Sequence, residues 1–166
     1  MSFNEQSFAK RFQTMGDMAE NVYAEVKPLG NTTRFGFRRP KGVKFGTFPE
    51  GLRHMPDYVT SSYLVEVMGL GRDGILKSMK VSKYEALKEW NKFARRIGLL
   101  GVVLFIWNSA KKQYMILSWQ DIVDEVKYSK RKHDGPLSFQ NDGNEYYPLE
   151  WERLVAKATF LGDYDE

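Results

Sequence analysis

At 166 residues, with 42% hydrophobic side chains, the chain fits one domain able to bury a core, which excludes pervasive disorder. It has no cysteine, which excludes a disulfide framework, a thiolate zinc site and a cysteine nucleophile, and its two histidines, His54 and His133, lie too far apart in sequence for an imidazole-rich centre. The net charge of +4 suits a polyanionic partner, and the lack of any apolar run of about 18 residues or of an apolar leader predicts a soluble, cytoplasmic protein with no membrane association.

In chain order, residues 5–27 place Phe8, Phe12, Met15, Ala19, Val22 and Val26 at helical spacings and predict an amphipathic helix. Gly16 is expected to interrupt it, and Pro28, Leu29 and Gly30 to end it. Residues 30–53, rich in Gly, Arg and Phe, predict loop or irregular strand. Residues 27–53 carry Lys27, Arg34, Arg38, Arg39, Lys41, Lys44 and Arg53, with Glu50 the one opposing charge. The cations alternate with aromatics around Phe35 and Phe37, a pattern that fits either a clamp for phosphates and unstacked bases or a loop docked on the core.

Met55 to Met68 predicts a hairpin: a short strand from Pro56 to Val59, a turn over Thr60, Ser61 and Ser62, and a second strand from Tyr63 to Met68. Gly69 to Gly74 predicts a turn rather than a phosphate loop, because no Gly-Lys-Ser/Thr follows. Ile75 to Val81 is expected to return as a third strand. Ser82 with Glu85 predicts a capping box, opening a helix whose buried face carries Tyr84, Leu87, Trp90, Asn91 and Ala94 and which ends near Gly98. The unbroken apolar run from Gly101 to Trp107 predicts a buried central strand, with Lys111 to Trp119 pairing beside it. A short helix is expected over 120–126. Residues 127–133 form a second basic cluster containing Lys130, Arg131 and Lys132, and about 161–166 form an acidic, solvated tail. The whole predicts an α/β fold of a single domain, one central sheet flanked by helices.

The candidate chemistry lies in two carboxylates. On the second hairpin strand, Val65 and Val67 share one face, expected to be the core, and Leu64, Glu66 and Met68 the other. A carboxylate amid apolar strand residues needs a partner or a metal ion. Asp57, on the preceding strand, is close enough in the ladder to converge with it, and a divalent cation relieves the repulsion of such a pair. The plain alternative is that Glu66 pairs with a strand neighbour such as Lys77 or Lys80.

The Pro56-Asp57 pair followed by Val65-Glu66-Val67-Met68-Gly69 resembles the signature of the PD-(D/E)XK nuclease superfamily, and Gly16-Asp17-Met18-Ala19-Glu20 resembles the G-x-x-A-E helix of archaeal and phage Holliday-junction resolvases. The resemblance covers roughly residues 16–107. It implies a restriction-endonuclease-like mixed sheet and a homodimeric endonuclease that cuts branched or junction DNA. It further implies Mg2+ or Mn2+ held by Glu20, Asp57, Glu66 and the backbone carbonyl of Val67, with a lysine assisting the attacking water. Met68 stands where that lysine is expected. The returning strand offers Lys80 first and Lys77 second, and the next helix begins with Lys83. The DNA-binding set is expected to be Arg34, Arg38, Arg39, Lys41, Lys44, Lys130, Arg131 and Lys132. His54, three residues before Asp57, is a candidate phosphate contact or a structural histidine. Met68 also supports a second reading, a nucleic-acid-binding module without catalysis; an exonuclease or nickase using the same site is a third.

Overall fold

The computed structural model describes residues 8–36, 49–70, 73–138 and 143–165. Arg38, Arg39, Lys41 and Lys44, four of the expected DNA contacts, lie outside them. Among the described residues the elements run α1 (Phe8–Val26), β1 (Thr32–Arg34), α2 (Glu50–Arg53), β2 (Tyr58–Thr60), β3 (Tyr63–Gly69), β4 (Leu76–Lys80), α3 (Val81–Arg96), β5 (Gly101–Asn108), β6 (Gln113–Ser118), α4 (Trp119–His133), β7 (Tyr146–Glu150), α5 (Trp151–Lys157) and β8 (Phe160–Asp163). A six-stranded sheet has the order β1-β2-β3-β5-β6-β8, with β4 and β7 forming a separate antiparallel pair. β3 and β5 are parallel and every other pairing is antiparallel, so this is the expected central mixed sheet flanked by helices.

Both faces of that sheet are covered. On one, Ala19, Val22 and Tyr23 of α1 pack on Val65, Val67, Val103, Phe105 and Trp107. On the other, Leu87 and Ala94 of α3 and Ile122 and Val126 of α4 pack on Leu64, Met68, Leu104, Ile106 and Leu117. The sequence placed the core on the valine face of β3; Leu64 and Met68 are equally buried, which leaves Glu66 within a core face rather than toward solvent. β5 is buried at all eight positions, as a strand between two helical layers must be, and this explains its lack of alternation.

Several expectations are corrected. Gly16 does not interrupt α1, because a lone glycine costs a helix only about 1 kcal/mol and the buried face beyond it outweighs that. The hairpin forms, but β2 begins at Tyr58 and Asp57 precedes it. β4 does not return against β3. The seven residues of β3 all pair with β5 on one side, and β2 with the Asp57 side chain holds the other, so β4 finds its partner in β7. Ser82 is not the cap of α3: β4 runs straight into the helix at Lys80, and the Val81 N–H is satisfied by the Glu145 carbonyl at 3.0 Å. α4 is longer than expected. Ser118 caps it by accepting from Asp121 N–H at 3.2 Å, and the 127–133 basic cluster becomes its last two turns, where cations favour the helix dipole. β7 and α5 carry no expectation from the sequence. Phe160 to Asp163 overlaps the start of the tail expected from about residue 161 and, though largely exposed, forms an edge strand on β6. No helix among the described residues is long and apolar enough to cross a membrane.

Candidate active site

The site lies where β2 and β3 part. Their ladder ends as the Asp57 N–H donates to the Val65 carbonyl at 2.9 Å, and the next inward-facing donor, the Val67 N–H, is taken by Asp57 Oδ2 at 2.8 Å. A side chain thus replaces a missing strand. The N–H and C=O of one strand residue point to the same edge, so the Val67 carbonyl faces the Asp57 side as well. Asp57 is held rigidly, since its own carbonyl accepts from the N–H groups of Phe35 (2.9 Å) and Gly36 (3.2 Å). Gly36 is required there: a Cβ on it would stand 2.8 Å from the Pro56 carbonyl oxygen.

Glu66 projects from β3 toward the α3 face with its side chain only 2% exposed. Its Oε1 accepts a hydrogen bond from Lys83 Nζ, in the first turn of α3. Its Oε2 is buried without a hydrogen-bond partner among the described residues. Burial raises the Glu66 pKa more than the Lys83 charge lowers it. Asp57 is pushed up to about 8, first by burial and then by the Glu66 charge, against the opposing pull of Lys83 and the Val67 N–H. The two carboxylates are therefore electrostatically coupled in a site that carries too little positive charge for both. An orphaned buried carboxylate oxygen, a second carboxylate forced toward its neutral form and a carbonyl on the same edge make a donor set of hard oxygens, which fits Mg2+ or Mn2+.

Glu20 lies near enough for its charge to act on both carboxylates, but it is paired elsewhere. It reaches the site from α1, on the opposite face of the sheet, and its Oε2 is bound by Arg34 Nη1 at 2.9 Å. The same guanidinium approaches Asp57 Oδ1 at 3.9 Å through Nη2, donates through Nε to the Gly36 carbonyl at 2.9 Å, and lies 5.1 Å from the Tyr58 ring centroid. Among the described residues no three His, Cys, Asp or Glu side chains are gathered as a ready metal set. Asp57 and Glu66 are brought together, and Glu20 is held back by an arginine that the sequence assigned to DNA.

The lysine also differs from the one expected. Lys80 and Lys77 do not face Glu66 across a hairpin, because that hairpin does not exist. Lys77 is buried with Nζ on the Gly69 carbonyl at 2.7 Å, and its pKa falls to about 7 through burial and the nearby Lys83 charge. Lys80 becomes the residue that precedes α3. Lys83 fills the place opposite Glu66. Burial disfavours its charge, but Glu66 and Asp57 outweigh that and hold its pKa above the usual lysine value. The signal for Lys83 was its position one turn into a helix that follows a strand directly, legible only once β4 is known to leave the sheet.

A cleft of about 400 Å3 opens at Val67, Met68 and Lys83, lined also by Arg53, His54, Lys77 and Lys80; it borders the residues next to Glu66, and neither Asp57 nor Glu66 is part of its lining. His54, whose Nε2 stands 3.4 Å from Ser82 Oγ, is driven down to about 4 by burial and by Lys83, Lys80 and Arg53, so it is a neutral imidazole there. Met68 itself is 4% exposed and packed in the core at the wall of the cleft, where its thioether carries no charge. In the second basic cluster, Lys132 is tied to Glu150, Lys130 is exposed with its ammonium 5.1 Å from the Tyr147 ring centroid, and Arg131 is exposed.

No family model matches the chain, and no curated protein matches it. Among solved structures, the chain is similar to the 1.6 Å structure of Hjc, a Holliday junction resolvase of the archaeal hyperthermophile Archaeoglobus fulgidus, at 13% identity over 89% of this chain and 92% of that one, with a TM-score of 0.44. A likeness of that degree assigns no role to any residue.

Proposed function

We propose that the chain is a Mg2+- or Mn2+-dependent DNA endonuclease whose preferred substrate is branched DNA such as a four-way junction. The buried, unpartnered Oε2 of Glu66 beside Asp57 carries this reading, because a carboxylate oxygen buried without a donor is costly unless a cation completes it. Asp57, Glu66 and the Val67 carbonyl would hold the ion, which supplies Lewis-acid stabilisation of a phosphoryl group and activates water. Lys83, kept cationic by the carboxylates, steers the phosphodiester into the cleft and stabilises charge developing on its oxygens. His54, neutral there, accepts or donates a hydrogen bond without competing for the anion. The junction preference rests on the Gly16 to Glu20 motif, which brings a helix carboxylate to the rim of the site, and a homodimer would let two such sites cut symmetrically.

The test is cleavage of labelled four-way junction, linear duplex and single strand in Mg2+ and in Mn2+. Asp57→Ala should abolish cleavage while leaving junction affinity, measured without divalent cation, within about threefold, since most of the charges that bind DNA are separate. Retained turnover in purified Asp57→Ala protein refutes the site. Junction binding by the unaltered chain with no cutting in either metal favours the non-catalytic module, for which the burial of Met68 in the core is the supporting observation. Product length separates an endonuclease from an exonuclease or nickase.

A further inference from the structure

Glu20 and Arg34 form an ion pair that has no place in a finished three-carboxylate site. Arg34 Nη1 holds Glu20 Oε2 at 2.9 Å and Nη2 leans toward Asp57 Oδ1 at 3.9 Å, so one guanidinium spans the helix carboxylate and the strand carboxylate. Its side chain is 30% exposed and that of Glu20 24%, so both reach solvent at the mouth of the site. A guanidinium fork binds a phosphodiester with the same two donors it offers a carboxylate. A partly exposed ion pair is weak because solvent screens it, so an arriving phosphate can compete for it. Its release would free Glu20 beside Asp57 and Glu66, where the Oε2 of Glu66 is buried with no hydrogen-bond partner among the described residues.

We propose that Arg34 is a latch that couples phosphate binding to completion of the metal site: in the resting protein it sequesters Glu20, and a DNA phosphate takes its guanidinium and releases Glu20 to the ion. This rests on the nuclease reading and adds an order of events to it. The ion is held weakly by Asp57 and Glu66 alone, and tightly once DNA is present. The coupling is reciprocal, so the ion tightens DNA binding by the same factor. The device keeps a hydrolytic centre incomplete until substrate arrives.

The experiment measures Ca2+ affinity by calorimetry without DNA, and junction affinity by fluorescence anisotropy with and without Ca2+ at constant ionic strength. In the unaltered chain Ca2+ should tighten junction binding about tenfold. Arg34→Gln should bind Ca2+ about fivefold more tightly in the absence of DNA, because Glu20 is free from the start, and should lose most of the tenfold gain. Glu20→Gln cuts the latch from its other side and should lose the gain too, which guards against a fold defect in the arginine variant; thermal melts confirm that both are folded. Loss of a nearby positive charge by itself raises Ca2+ affinity, so the gain decides: an arginine that only braces the structure predicts that the tenfold gain survives in folded Arg34→Gln, and that result overturns the latch. If Ca2+ binds the unaltered chain, is lost in Asp57→Asn, and the gain survives both latch variants, the latch alone fails. If no ion binds with or without DNA, the nuclease reading fails with it.

Discussion

At the scale of the residue, the chemistry depends on which lysine meets Glu66. Parity along β4 sets Lys77 and Met79 inward and Leu76, Ser78 and Lys80 outward, as the burial pattern confirms, and although the Lys77 charge acts on Glu66, the hydrogen-bonded partner of that carboxylate lies beyond the strand. That partner is Lys83, because the strand passes directly into a helix whose first turn overhangs β3. Lys83→Met should therefore lower cleavage by about 10²–10³-fold, the usual loss when one stabilising charge leaves a buried centre, while Lys80→Met should change it less than about threefold. Single-turnover cleavage of a junction in Mg2+ distinguishes the two; the reverse ranking would return the role to Lys80. The carboxylates themselves were legible: Asp57 and Glu66 stand out because each is an acid among apolar neighbours at hairpin spacing. The state of Glu20 was not, since nothing in the order of residues shows that Arg34 folds back onto it.

At the scale of the element, α1 sits unusually close to the end of β3. A Cβ built on Gly69 would lie 2.7 Å from the Met15 carbonyl oxygen and 3.1 Å from the Met15 Cβ. The obstacle is helix backbone, which cannot swing aside as a long side chain does. Gly69→Ala should destabilise the fold by about 1–3 kcal/mol, read from the denaturation midpoint, with junction cleavage falling further because α1 carries Glu20. A loss under about 0.5 kcal/mol would mean that the helix yields freely. This close contact explains why the motif glycine after Met68 is also a packing glycine: the same position ends β3, offers its carbonyl to Lys77 and admits the helix. Amphipathic helices and the apolar β5 were readable from periodicity, because burial of a face leaves a period in the residues. The pairing of β4 was not, because periodicity says which face of a strand is buried and nothing about which neighbour it meets.

At the scale of the whole molecule, the C-terminal segment closes the side of the sheet opposite the site. β8 pairs with β6 from Gln113↔Asp163 to Ile116↔Phe160, and the Thr159 N–H donates to the Ile116 carbonyl at 2.9 Å. Tyr164 then packs edge-on against Trp107, 5.8 Å between ring centroids, and its hydroxyl bonds Glu25 of α1. One short strand thus ties the sheet to the helix that brings Glu20. Ending the chain at Ala158 should lower the melting temperature by on the order of 10 °C, since several backbone hydrogen bonds and an aromatic contact go together. A fall below about 2 °C, followed by circular dichroism, would show β8 to be dispensable. Two further anchors lie on the other face, where Arg153 makes a two-pronged bond to the buried Glu125, through Nε at 2.8 Å and Nη2 at 3.1 Å, and lies over the Tyr128 ring.

The residues alone determined the layer architecture, the buried central strand, the first hairpin and the two carboxylates. Each leaves a local mark, a period, an unbroken apolar run or a misplaced charge. Only the tertiary structure decided that β4 leaves β3, that Lys83 takes the lysine's place, that Arg34 holds Glu20, and that the acidic end becomes an edge strand. Those outcomes turn on which of several comparable partners is nearest in space, and a chain with more cations than buried carboxylates does not encode that choice in the spacing of its residues.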